Sequence, residues 1–248
     1  MKLMVIVFCI LAERFLANTR TCQRFHWFFS YNQTLSSRFS HSPLMNNSWL
    51  KIICLCLPLV GLVGILLTIF HHILFGFIYL VVNLMVFFYC LGPDNAFYPL
   101  KKNTDDETLQ QTVGNYLAQV NSQLFAVIFW YMALGPMAVL LYRLVTLCQQ
   151  DKSLHGQAVQ LTGILDWIPA RITSLLYLLA GNFQAGIHYF LNMFFTHPQN
   201  NALMLSECGS LAVAYGEQVL MPQAEILVEH AVVIWIVLLA FFNVSVLF

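Results

Sequence analysis

Charge is the scarcest thing in this sequence. Of 248 residues, 11 are Lys or Arg and 11 are Asp or Glu, so charged residues make up 9% and the formal net charge is zero. A soluble domain carries about 25% charged residues. This chain lacks the means to keep a water-facing surface polar. It has no basic excess, and so no electrostatic footprint of a nucleic-acid binder. With 59% hydrophobic residues it also lacks the weakly hydrophobic composition that keeps a chain disordered. What these absences leave is an all-α, polytopic integral membrane protein whose first partner is the lipid bilayer. Its apolar runs suffice for about four to six membrane-associated helices, with amphipathic interfacial helices beside them.

Chemical motifs are missing too. There is no G-x-x-x-x-G-K-[ST] phosphate loop, no G-x-S-x-G elbow and no H-E-x-x-H pair. The seven cysteines are scattered, with no C-x-x-C spacing. Cys54 and Cys56 are two apart and diverge on a helix. The cysteines read as small hydrophobes packed among membrane helices. No catalytic residue, no metal site and no cofactor is legible.

The apolar spans fall at about 3–17, 50–70, 73–92, 124–147, 164–181 and 231–248, within one membrane domain covering 1–248. Between them lie a basic loop at 18–49, polar loops at 93–121 and 148–163, and an acidic segment at 197–229. The tract from Trp49 to Leu91 is about twice the roughly 20 residues that one span needs. It reads as a hairpin with His71-His72 at a wet turn. Adjacent histidines point about 100° apart on a helix, which argues against a shared metal.

Leu109, Val113, Tyr116, Leu117 and Val120 recur at helical spacing. They predict an amphipathic helix running into the 124–147 span, which Gly135-Pro136 should kink. Farther on, Pro169 suits the first turn of a helix, and Asp166 is placed to accept its free N–H groups. That helix should run to about Leu179, break at Gly181-Asn182 and resume as an amphipathic helix to Phe195.

Arg20, Arg24 and Arg38, with Arg14 and Lys51 at the edges, make the first loop cytoplasmic by the positive-inside rule. The 124–147 span should then lead outward. Arg143 and Lys152 at its far end conflict with that.

Inference about function rests on charges at membrane depth, each of which costs on the order of 2.5–3.5 kcal/mol to insert. Glu13, Arg14, Arg143, Asp166 and Arg171 qualify. Two readings stand side by side. One is a set of buried ion pairs that fix helix geometry, with Asp166 turning back toward Arg171 or Glu13 pairing with it. The other is a polar pocket for an anionic ligand, with Arg143 and Arg171 as its cations.

The stretch Asp166-Trp167-Ile168-Pro169-Ala170-Arg171 resembles the D-W-x-P-x-R element of the AmpE family. These are inner-membrane proteins of Gram-negative bacteria, encoded beside an amidase. Glu13-Arg14 in its I-L-A-E-R-F setting, Tyr116-Leu117, Phe129-Trp130, Gly135-Pro136 and Tyr142 agree in order. The resemblance implies a multi-pass inner-membrane protein, a non-catalytic sensor or signalling modulator of β-lactamase induction and cell-wall stress. It also implies a cell-wall-derived or other anionic small ligand, and a membrane or cytoplasmic signalling partner. Trp167 and Pro169 would support the motif.

The same element is similar to the adenosylcobinamide-phosphate synthases, membrane enzymes of cobalamin biosynthesis. That family continues from Tyr-Arg into an N-T-L-D-S segment. Here Val145 and Cys148 stand at its Asn and Asp. Asn121 and Gln123 lie where its acidic pair is expected. These departures argue against amide-bond synthesis. A small transporter or channel subunit is a further alternative, although no related halves are visible.

Overall fold

The computed structural model describes residues 2–16, 25–38, 48–70, 77–92, 97, 109–213 and 221–245. The expected turn at His71-His72, and Arg20 and Arg24 of the basic loop, lie outside them. Every regular element among the described residues is helical. In chain order these are α1 (Lys2–Leu16), α2 (His26–Arg38), α3 (Ser48–Phe70), α4 (Phe77–Cys90), α5 (Leu109–Val120), α6 (Ala126–Leu134), α7 (Pro136–Cys148), α8 (His155–Leu165), α9 (Trp167–Ala180), α10 (Phe183–Met193), α11 (Asn201–Val213) and α12 (Met221–Ser245). A π-helical turn, Asn121–Phe125, joins α5 to α6, and a 3₁₀ turn, Pro198–Asn200, precedes α11.

Among the described residues, three helices are long and apolar enough to cross a membrane: Ser48–Ile69, Gln110–Leu134 and Met221–Phe242. The pair α8 and α9, bent by 57°, makes a fourth if taken as one span. Helix α3 has 23 residues, about 35 Å at 1.5 Å per residue, against a hydrocarbon core of about 30 Å. It is apolar all round, and Leu57 is 65% and Ile65 62% exposed. A helix that shows such residues outward needs hydrocarbon beside it.

Within the expected membrane domain the chain packs as two compact units, Met1–Pro93 with Val127–Thr162, and Asp94–Ala126 with Gly163–Phe248. In the first unit α1 lies parallel to α4. Lys2 and Val5 sit beside Tyr79, Leu80 and Asn83, and the Cys9 thiol donates to the Leu84 carbonyl at 3.6 Å. Helix α3 runs antiparallel to α7. Lys51 Nζ donates to Ser153 Oγ at 3.1 Å at one end, and Gly64 abuts Met137 at the other.

That register answers the orientation conflict. The 124–147 run is not one straight span, because Gly135 takes φ 88°, ψ −165° between α6 and α7, a conformation open essentially to glycine alone. Helix α7 then runs back along α3, so Lys152 ends on the same side as Lys51. The polar stretch 148–163, expected as a loop, is a turn followed by α8. Its His155 and Gln160 face out while Ala158 and Thr162 pack inward. In the same way the basic loop contains α2, and the acidic segment contains α11 and the first turns of α12.

In the second unit α9, α10 and α11 form an up-down-up set. Gly181-Asn182 separates α9 from α10, as the sequence predicts, and the Asn182 side chain caps α10 by accepting from Ala185 N at 3.3 Å. Leu178 closes on Gly186 across that hairpin. Helix α11 is the buried centre, packed on α5, α9 and α10. Gly209 receives Leu117, and Gly114 receives Ser206. In lipid, association rests on such close van der Waals packing of small residues and on interhelical hydrogen bonds, since hydrocarbon surrounds the helices in any case.

Candidate functional site

Helix α9 carries the densest set of buried polar groups. Arg171, Thr173, Ser174 and Tyr177 are all buried. An intramembrane polar group must find its partners inside the protein, and three of these do so by visible bonds.

Arg171 is 4% exposed. Its Nε donates to the Phe194 carbonyl at 3.0 Å and its Nη2 to the Thr196 carbonyl at 3.0 Å. Its Nη1 donates to the Trp167 carbonyl at 2.9 Å and to the side-chain oxygen of Asn201. Four of its five N–H groups are engaged. The guanidinium also lies over the Trp167 ring, 4.4 Å from the centroid, a cation–π distance. Trp167 Nε1 donates to the Thr196 carbonyl at 3.2 Å. Phe194 caps the C-terminus of α10, where unpaired carbonyls and the helix dipole both favour a cation.

The D-W-x-P-x-R spacing therefore builds a clamp. Trp167 and Arg171 are one helical turn apart and close together on the end of α10. Pro169 sits between them in the first turn of α9, where its missing N–H removes no helix bond. Asp166 precedes the helix with φ −81°, ψ −6° and makes no side-chain cap bond, in contrast to the expected cap. Its carbonyl accepts Ala170 N at 2.8 Å. All of Arg171's hydrogen-bond partners are backbone carbonyls and the Asn201 amide oxygen. Neither the Asp166 nor the Glu13 carboxylate is among them.

Next to the clamp, Thr173 Oγ1 donates to Asn121 Oδ1 at 2.8 Å, and the Tyr177 hydroxyl donates to the Leu117 carbonyl at 2.9 Å. Both acceptors lie where α5 passes into the π turn. A π turn shifts the hydrogen-bond register, and such turns recur at functional sites. Here Thr173 and Tyr177 supply donors at that shift.

Glu13, Arg14 and Arg143 belong to the first unit. Glu13 and Arg143 are buried, each 4% exposed, and Arg14 is half-buried. Arg143 Nε donates to the Cys90 carbonyl at 2.7 Å, so this guanidinium also caps a helix C-terminus, that of α4. Of the two cations expected to line an anion pocket, Arg143 belongs to the first unit and Arg171 to the second, and each serves a helix end. Val145 and Cys148 are buried on the same helix as Arg143, α7.

Sequence reasoning missed Asn201, Thr173 and Tyr177. The signal was present: polar side chains at three- and four-residue spacing on α9 mark one buried face. Asn201 carried none, because its partners are 30 and 38 residues away.

A polar cluster outside the spans joins the turn after α7 to α2 and α3. Ser153 N and Oγ each donate to Asp151 Oδ1 at 2.8 Å, and the Asn32 amide donates to Asp151 Oδ2. Partial burial pushes the Asp151 carboxyl up. The Ser153 and Asn32 bonds, with the Lys51 ammonium nearby, outweigh it and hold the carboxyl below its usual value.

Among known proteins, the chain is similar to a cobalamin biosynthesis protein CobD of Chromobacterium violaceum, with 30% identity over 115 residues. The match takes in 42% of this chain and 37% of that protein, so the chain covers little more than a third of that relative's length. No family model matches the sequence, and no solved structure matches it.

Proposed function

We propose that this chain is a membrane protein of the cobalamin-biosynthesis type in scaffold whose membrane-depth arginines serve helix ends, and that it acts without catalysis as a ligand-linked modulator of the AmpE kind. The observation that supports the helix-end, non-catalytic part of this reading is the engagement of Arg171; the modulator role rests on the D-W-x-P-x-R resemblance. A guanidinium with four N–H groups on carbonyl and amide oxygens has one left for an anion, whereas bidentate recognition of a phosphate or carboxylate needs two. Val145 and Cys148, which replace polar residues of the synthase pattern, point the same way.

A second reading is retained synthase activity, in which an aminopropanol unit is joined to a corrinoid carboxylate. The similarity to CobD supports this more directly than it supports AmpE-like signalling, which rests on the D-W-x-P-x-R resemblance. The buried polar residues Asn121, Gln123 and Ser174 are the groups such an activity would draw on.

One pair of experiments separates the two. The gene is introduced into a strain that lacks its cobinamide-phosphate synthase, and growth is measured on a medium where cobalamin must be made. The first reading expects no rescue. In the native host the gene is deleted and β-lactamase is measured with and without a β-lactam. The first reading expects a changed basal or induced level wherever an inducible enzyme is present. Rescue, together with unchanged β-lactamase, establishes the second reading in its place.

A further inference from the structure

The first unit contains a groove that no part of the proposed function uses. Helices α3 and α4 both pack along α7 but touch each other only sparsely. Pro58 lies inside α3 one residue before the groove begins at Leu59, and an interior proline removes a helix bond. The gap left between α3 and α4 is about 560 Å³. Its walls are Leu62 and Val63 of α3 and Met85 and Val86 of α4, and its floor is Leu140 of α7. Trp27 of α2 and Tyr89 of α4 line one end.

Water has no partners in such a lining and would not occupy it. The surroundings decide what does. Leu57 on α3 and Met85 on α4 flank the groove and are more than 60% exposed, so the medium at this depth is hydrocarbon. One end is polar. There the Trp27 indole N–H donates to the Tyr89 hydroxyl, an aromatic pair of the kind that settles at headgroup level. Helix α2 is tied by Asn32 to Asp151, and α3 by Lys51 to Ser153. The Trp27 end of the groove therefore faces the side of the unit on which Lys51 lies, about two turns farther along α3.

The geometry points to a bound phospholipid, with one acyl chain lying between α3 and α4 and its headgroup at the Trp27 and Lys51 end. Arg143, by holding the Cys90 carbonyl, fixes the end of α4 where the tail enters. The bound chain fills a gap that side chains leave open and completes the packing of the unit.

The test uses the full chain, purified and reconstituted in vesicles of phosphatidylcholine and phosphatidylglycerol that contain a phosphatidylcholine spin-labelled near its tail end. Electron spin resonance counts the motionally restricted lipids per chain. Leu62→Trp and Val86→Trp put an indole into the groove. Each should lower the count by one lipid, with helicity and unfolding temperature unchanged, while Phe241→Trp on the exposed face of α12 should leave the count as it is. On the unmodified chain, a phospholipid with a photoreactive tail should label the segments around Leu59–Val63 and Met85–Tyr89 above all others. An unchanged count in the folded variants overturns the proposal, as does labelling spread evenly over α12. Efficient cross-linking between copies through Leu62→Cys would also overturn it, since the groove would then belong to a second copy of the chain.

Discussion

Arg171 donates to the side-chain oxygen of Asn201, and Asn201 in turn donates through Nδ2 to the Gly163 carbonyl at 2.8 Å. The amide thus ties the starts of α9 and α11 to the last turn of α8. Because it passes the guanidinium's hydrogen bond on to a third helix, the pair should behave as one unit in mutation. Asn201→Leu removes both bonds and leaves the Gly163 carbonyl and one Arg171 N–H without partners. Arg171→Lys keeps the charge but cannot reproduce the fork. Each should lower stability by about 2–3 kcal/mol, and the double variant should cost less than the sum of the two. Equilibrium unfolding in detergent measures this. Wild-type stability in Arg171→Lys would exclude the clamp.

The π turn makes a second test. Tyr177→Phe removes the hydroxyl that reaches the Leu117 carbonyl, with little change of shape. The expected loss is about 1–2 kcal/mol, with faster amide exchange over 117–125 than over the rest of α5. Uniform exchange along α5 and α6 in the variant would show that the hydroxyl does not support the register shift.

Gly135 is held by its backbone. A Cβ there would meet nothing within 4 Å, so any cost of Gly135→Ala comes from the φ of 88°. A side chain in that conformation costs about 1–3 kcal/mol. A lowered unfolding temperature of that size is expected. An unchanged one would mean that the bend between α6 and α7 tolerates ordinary φ values.

Asp151 sets a pH dependence. Its carboxyl is held below the usual value, so its contribution is present above the unfolded-state value, near pH 4, and is lost as pH falls through the folded-state value. Acid should therefore loosen the tie from α2 to the turn after α7. Protection of the Ser153 amide from exchange, measured against the intrinsic rate at each pH, should fall below about pH 4, and in Asp151→Asn it should be lower already at neutral pH and nearly independent of pH over that range. The site is partly exposed and the effect is local.

Lys51 and Ser153 are bonded and so lie on one side of the bilayer. Single cysteines at these positions should react with the same membrane-impermeant thiol reagent from the same side of sealed vesicles. Labelling from opposite sides would break the antiparallel register of α3 and α7.

The legible parts were those set by local pattern. Apolar length marked α3 and α12. The spacing of Leu109, Val113 and Leu117 marked α5, and Gly135-Pro136 and Gly181-Asn182 marked breaks that the structure has. Less legible was 148–163, where α8 takes its inward face from Ala158 and Thr162 rather than from large hydrophobes. The cap expected of Asp166 also failed, because its backbone is already helical at φ −81°, ψ −6°, and a capping side chain needs extended backbone to reach forward.

By itself, then, the sequence determined that this protein lives in a membrane, since 9% charge cannot cover a surface in water. It also singled out five charges, Glu13, Arg14, Arg143, Asp166 and Arg171, as the ones expected to need partners, because burying an ion without one is costly whatever the fold. What those partners are was decided only by tertiary structure. Arg171 looked as ready for an anion as for an ion pair, and a guanidinium serves carbonyl oxygens equally well. The choice followed from where the end of α10 comes to rest, 23 residues farther along the chain, and no local pattern encodes that meeting.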